Sequence, residues 1–270
     1  MSEFLNRDDA PFEESVWDLI DSTVKSVATQ QLSARKLLHI EGPYGLGVKS
    51  ISMHDQHIEG NGESGPQLIS AQSIPLVLIS SSFSLDGRDL DLYTKSKIVF
   101  DMKDLVSSVL TCAKMEDKLL YYGSEPMKTH GLTNSPGTKK TKLREWSGVG
   151  DATESVIEAI NELDKAGFHG PYSLALEPTL YNSLFRRYPQ EEVLEFEHLK
   201  SLVGGSIIKA SALNSGGVLV ASGEQFATIA LGQDLMAGFE GPEGMEYVFF
   251  VSESIALRVN VPESVCVMQV

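Results

Sequence analysis

The sequence predicts a mixed α+β protein with helices and strands segregated along the chain rather than alternating as βαβ units. Three observations carry that expectation. Apolar residues recur at helical spacing over residues 13–35 and 101–122, and again after Asp151. Short apolar, β-branched runs collect in the second half, at 172–176, 207–211, 218–221, 227–231, 245–259 and 265–270. Between the first two helices lies a segment, 50–72, with no clear period and with Gly60, Gly62, Gly65 and Pro66 breaking it up. A length of 270 residues allows one large domain or two small ones.

The elements follow in order. Val16, Leu19, Ile20, Val24 and Val27 give one apolar stripe, and Glu13, Glu14 and Asp18 stand near the helix start, where they suit its dipole. Residues 37–40 read as extended, and Gly42, Pro43, Gly45 and Gly47 stop regular structure. The 50–72 segment is long for a loop in a compact domain, so it reads as a functional loop or an arm that pairs with another subunit. Residues 74–83 read as a strand. The clearest helix is 101–122, with Asp101 as N-cap, a stripe through Leu105, Val109, Cys112, Ala113 and Leu119, and Gly123 as its stop.

Residues 124–146 are rich in Gly, Pro, Thr and Lys and read as a loop. Its basic run, Lys139, Lys140, Lys142 and Arg144, reads as solvated. Asp151 and Glu154 have capping-box spacing ahead of Val156, Ile157, Ile160 and Leu163. Pro178 suits the first turn of a short helix to residue 185. A further helix runs over 191–203. Gly216 and Gly217 suggest a hairpin between the strands at 207–211 and 218–221.

Composition narrows function. Net charge is −15, which opposes nucleic-acid binding. No apolar run is long enough for a bilayer-spanning helix. The N-terminal residues lack a secretory core, so the cytoplasm is the expected compartment. Two cysteines, Cys112 and Cys266, sit in apolar patterns and read as buried hydrophobes. Gly131–Lys139 has the wrong spacing for a phosphate loop, and Gly148-Val-Gly150 lacks the third glycine of a dinucleotide fingerprint. Asp86, Asp89 and Asp91 lack the closing acidic residue of a calcium loop and read as a solvated strand-to-loop junction. His54 and His57, three apart, have no companion ligand motif. No enzyme, metal site or cofactor is expected from these residues.

Several short phrases in a fixed order carry a resemblance. They are Phe4-Leu5, Ala10-Pro11 and Trp17; Glu41-Gly-Pro-Tyr-Gly45; Glu116-Asp117 followed by Gly123; Gly170-Pro-Tyr172; Leu231-Gly-Gln-Asp-Leu235 before Gly238; and the stretch from Glu253 to Pro262. Together they resemble the encapsulins, nanocompartment shell proteins. The resemblance implies a tailed-phage major-capsid-like fold with a peripheral domain, an axial domain and an extended E-loop. On that pattern, 1–49 hold the N-terminal helix and the start of the peripheral domain, and 50–82 the E-loop region. The spine helix falls in 83–123, the axial domain is 124–224, and 225–270 return to the peripheral domain.

The resemblance further implies a homo-oligomer of sixty subunits or a multiple of sixty, enclosing cargo enzymes of the ferritin-like or peroxidase class. A short terminal peptide of the cargo would dock at Leu32, Arg35, Leu37 and His39. Leu32 and Leu37 have a second reading, as residues that pack the helix onto the sheet. A loop at the fivefold pore would comprise Arg186, Arg187, Tyr188, Pro189 and Gln190. Some encapsulins bind flavin beside an aromatic residue in the segment matching 83–91. Gly87 and Arg88 stand there in this chain, so no stacked flavin is carried over. The alternatives are a phage capsid protein enclosing a genome and a soluble α+β hydrolase.

Overall fold

The computed structural model describes residues 3–60, 67–188 and 193–269. Two short 3-10 turns, Glu3–Leu5 and Arg7–Asp9, lead into α1 (Glu14–Gln31) and the single turn α2 (Ala34–Leu37). Next come β1 (His39–Glu41), β2 (Ser50–Gly60), β3 (Gln67–Pro75), β4 (Val77–Asp86), α3 (Gly87–Ser96) and the long α4 (Lys103–Tyr122). The middle of the chain supplies β5 (Gly123–Ser124), β6 (Thr129–His130), β7 (Lys139–Lys142), α5 (Asp151–Lys165), β8 (Tyr172–Leu176), α6 (Pro178–Ser183) and α7 (Glu195–Val203). The rest is strand: β9 (Gly204–Lys209), β10 (Gly217–Ala221), β11 (Ala227–Glu243), β12 (Glu246–Val259) and β13 (Val265–Gln269).

Two sheets organise these elements. The first has the order β1-β11-β12-β4 and the second β7-β13-β10-β8-β9. β2 and β3 pair only with each other, as a separate antiparallel hairpin. The arm expected at 50–72 is therefore a two-stranded ribbon outside both sheets, and its turn lies outside the described residues.

The first sheet is covered by α1 and α4. Val16, Ile20, Val24 and Ala28 of α1 and Leu105, Val109, Cys112 and Ala113 of α4 share one core with Ile79, Phe83, Phe249 and Val251. Ser108 fixes the crossing by donating its hydroxyl to the Ser81 carbonyl at 2.9 Å. α5 and α7 cover one face of the second sheet through Val156, Ala159, Leu163, Leu199 and Val203. Because successive residues of a strand face opposite ways, β10 and β13 serve both cores. Leu219, Ala221, Cys266 and Met268 face α5 and α7, while Val218, Val220, Val265 and Val267 join the core of the first sheet. A sheet covered on both faces reads as an unbroken apolar run, as β8 and β10 do.

The structure corrects several sequence expectations. The first helix stops at Gln31 instead of continuing to Arg35, because Asp117 of α4 captures the chain there. Its carboxylate accepts from Ser33 N at 3.0 Å, Ser33 Oγ at 2.6 Å and Ala34 N at 3.0 Å. These buried bonds start α2 in a new direction. The acidic junction at 86–91 is the start of α3, with the Asp86 side chain accepting from Arg88 N at 2.7 Å. The basic run is not a loop: β7 is a parallel edge strand on β13. No hairpin joins β9 to β10, because β8 lies between them and pairs with both. Residues 225–270 divide between the sheets, with β11 and β12 in the first and β13 in the second.

Replacing Asp117 with Ala leaves the Ser33 and Ala34 donors buried without an acceptor. The expected loss is about 2–3 kcal/mol of stability, read as a lower denaturant midpoint. An unchanged midpoint would show that α2 does not depend on this cap.

Candidate functional site

α2 places Arg35 where α4, β11 and β12 meet. Its guanidinium binds Glu116 through both oxygens, at 2.8 and 2.9 Å, Glu253 at 2.7 Å and Asp234 at 2.6 Å. The Glu116 and Glu253 side chains are fully buried, whereas Asp234 is 59% exposed. One cation thus joins two buried carboxyl groups to one at the surface. Burial first, and Glu116 second, push the Glu253 carboxyl well above the usual carboxylate range. Burial also raises Glu116, against the opposing pull of Arg35. Burial works against the charge on Arg35, but the contacts to Glu116, Glu253 and Asp234 together outweigh it and hold the guanidinium protonated.

Of the four residues expected to dock a peptide, two are committed to the interior. Leu32 and Leu37 are buried and belong to the core of the first sheet. Arg35 forms the back of the site, its donors already met by three carboxylates. Only His39 presents its side chain to solvent, 3.5 Å from Glu224. Nearby, Arg258 pairs with Glu41, and Tyr44 donates its hydroxyl to Glu41 at 3.0 Å. The surface beside Arg35 therefore carries the exposed side chains of Asp234, Glu224 and His39, with the half-buried Glu41 paired to Arg258. Sequence reasoning missed Glu116, Glu253 and Asp234 as the partners of Arg35. They lie 81 to 218 residues away, and no local spacing signals them.

The loop at 186–190 joins α6 to α7. Arg186, Arg187 and Tyr188 are described, while Pro189 and Gln190 lie outside the described residues, as do the neighbouring Glu191 and Glu192. Both legs of the loop are pinned. Glu195 N donates to the Arg186 carbonyl at 3.1 Å, Tyr188 N donates to the Val193 carbonyl at 3.3 Å, and Arg187 bridges to Leu194. Arg186 also donates through Nη1 to the Trp146 carbonyl at 2.9 Å. Below the loop, the buried Glu195 carboxylate accepts from Gly150 N at 3.0 Å, Thr153 N at 3.1 Å and Thr153 Oγ1 at 3.2 Å. The cap of α5 thus comes from α7, and not from the expected Asp151, whose carboxylate turns back to Gly148 N at 2.6 Å.

Gly87 packs its backbone against the Met245 carbonyl and the Tyr247 ring, and Arg88 pairs with Asp86 at 3.0 Å. Burial pushes the Cys112 thiol up to about 12 and the Cys266 thiol up to about 11, so neither is a thiolate near neutrality. His54 and His57 fall on β2, and their side chains lie outside the described ones. Among the described residues, no group of three or more His, Cys, Asp or Glu side chains is placed to hold a metal ion. No described helix is long and apolar enough to cross a membrane.

Two packed sheets, the long α4, and a ribbon, β2–β3, that pairs with neither sheet make up the arrangement. The family model described as encapsulating protein for peroxidase (Linocin_M18) matches residues 1–256. The chain belongs to this encapsulin family. It is 27% identical, over 100% of its own length and 97% of the relative's, to the type 1 encapsulin shell protein EncA of Myxococcus xanthus. Among solved structures it resembles the virus-like particle of Pyrococcus furiosus, with a TM-score of 0.74 at 23% identity, covering 94% of this chain and 99% of the other. It also resembles the capsid of Myoviridae phage XM1, with a TM-score of 0.58 at 13% identity, covering 87% and 90%. The α+β fold is that of encapsulins and tailed-phage capsids. An encapsulin is a shell component and not a catalyst, so the clusters above are read for structure and contact.

The raised Glu253 carboxyl sets a direction for pH dependence. A folded-state value above the unfolded one gives stability that is present below the unfolded value, near 4.3, and is lost as pH rises through the folded value. Denaturant midpoints of the wild type are expected to fall from mildly acidic to alkaline pH. Glu253→Gln is expected to flatten that fall. Parallel curves for the two proteins would remove Glu253 as its source.

Proposed function

We propose that this chain closes into a hollow icosahedral shell of sixty subunits, or a multiple of sixty, that encloses a cargo protein in the cytoplasm. The observation that carries the reading is the family match over residues 1–256, joined to the capsid-like fold. The description of the family names a peroxidase, which supports a cargo of the peroxidase class; a ferritin-like protein is the other class considered. The net charge of −15 supports a lumen without packaged nucleic acid. The shell is proposed to work without a flavin at 83–91: no aromatic side chain stands at Gly87 or Arg88 to stack on one.

Sizing and negative-stain imaging test the shell. Megadalton hollow particles with the absorbance of pure protein are expected. A protein that remains monomeric or dimeric would overturn the reading. Particles filled with nucleic acid would favour a genome-enclosing capsid instead.

The cargo peptide is proposed to dock on the surface that carries Asp234 and His39, beside Arg35, while the buried Leu32 and Leu37 support that surface from the core. Its exposed acidic groups fit a peptide that brings backbone or side-chain donors. Asp234→Lys is expected to cut co-purification of cargo at least tenfold while leaving particles intact. Leu37→Asp is expected to disrupt the subunit itself, since Leu37 is core. Full loading of intact Asp234→Lys particles would remove this surface from cargo binding.

The loop at 186–190 is proposed to converge at the fivefold axis. Since Arg186 is tied to the Trp146 carbonyl, Arg187 is the arginine proposed to set the field there, repeated five times by symmetry. Arg187→Glu is expected to slow entry of a small anion and speed entry of ferrous iron into intact shells. Unchanged rates for both would mean that the loop does not gate the compartment.

A further inference from the structure

The turn between β11 and β12 is built against the stability of the isolated subunit. Gly244, at φ +65, and Met245 connect Glu243 to Glu246, which are direct cross-strand partners. Glu246 lies in turn opposite Asp86 on β4. Three carboxylates therefore stand in one row across three strands, an arrangement that destabilises a sheet. Arg88 relieves Asp86 at 3.0 Å; among the described residues, Glu243 and Glu246 have no ion pair. At the tip, Met245 is 67% exposed, the most exposed large apolar side chain among the described residues. The tip is held in place, since Gly87 N donates to the Met245 carbonyl at 2.9 Å. A Cβ at position 87 would stand 2.9 Å from that same oxygen, so glycine permits the contact.

The opposite end of the same ribbon has the complementary features. A cleft of about 680 Å³ opens where β12 ends, between the base of the β2–β3 hairpin and the loop after α4. Ile74, Leu119, Leu257 and Val259 give it apolar lining, and Lys128 and His130 stand exposed at its edge. β12 runs fourteen residues from the tip to this end, or about 45 Å at strand rise. A subunit cannot place its own tip in its own cleft.

We propose that Met245 of one copy seats in this cleft on a neighbouring copy, with Glu243 and Glu246 facing Lys128 and His130. An apolar knob flanked by carboxylates meets a cleft with an apolar part to its lining, edged by the Lys128 ammonium and the His130 imidazole. In a chain of net charge −15, that local match overcomes general repulsion between copies. Because knob and cleft are different surfaces, the contact is head-to-tail, and repetition of it generates rings or larger assemblies rather than a twofold pair. The proposal rests on the shell reading for its geometry of closure, but the contact itself does not require a closed shell.

Two measurements test it. Met245→Cys combined with Lys128→Cys is assembled under reducing conditions, oxidised, and run on a denaturing non-reducing gel. Cys112 and Cys266 are buried and serve as silent background. A ladder of covalently joined subunits is expected from the double variant and from neither single variant. Separately, Glu243→Lys with Glu246→Lys is expected to raise the protein concentration needed for assembly at least tenfold, and adding Lys128→Glu is expected to bring it part-way back. Intact shells that give no ladder, or charge-reversed subunits that assemble like the wild type, would overturn the contact and leave the shell reading standing. A ladder from particles that are not closed shells would support the contact and overturn the shell reading.

Discussion

A single guanidinium holds three chain segments together at the centre of this subunit. Arg35 on α2 binds carboxyl groups from α4 and β12 inside the protein and from β11 at its surface. The next residue on α4 after Glu116 is Asp117, which fastens the start of α2. Two adjacent acidic residues on one helix therefore fix both the position of a four-residue turn and the charge it carries. Buried ion pairs of this kind contribute little net stability, because desolvation opposes them, but losing one partner strands the others. The consequence is positional: α1 ends, α2 turns, and β1 is delivered in parallel register to β11.

That fixed junction matters because the two cores are not separable bodies. The strands β10 and β13 give alternate side chains to each. A shift of the second sheet would move residues that pack beneath the first. The pinned legs of the 186–190 loop stand on α6 and α7, so the loop is referenced to the same frame as the Arg35 cluster. A shell subunit needs such a frame, since small errors in the angle of one subunit accumulate around a closed ring.

The surface of the isolated subunit carries features that a solitary protein avoids. Val99 is 65% exposed, Phe4 63% and Leu78 59%. The β2–β3 ribbon pairs with neither sheet. Apolar exposure and unpartnered ribbons are liabilities in a monomer and contact surface in an assembly. β7 manages its edge differently, with Lys139, Lys140 and Lys142 along a strand whose outer side is otherwise free to pair.

The sequence by itself determined the elements whose burial follows a local period or runs unbroken along a strand. α1, α4 and α5 show their stripes because burial there repeats with the helical period, and β8, β12 and β13 show apolar runs because both faces of those strands are largely covered. The ordered phrases from Phe4 to Pro262 also placed the chain among the encapsulins. Where burial is sparse or the partner is remote, the sequence was silent. α3 buries only Leu90 of its ten residues, so it has no stripe to read. The lysine run becomes a strand only because β13 offers it a backbone, and β9 misses β10 because β8 stands between them. Arg35 looked available for a ligand until tertiary structure brought Glu116, Glu253 and Asp234 to it. Electrostatic partners are chosen by distance in space, and a period of two or 3.6 residues carries no record of residues more than eighty positions apart.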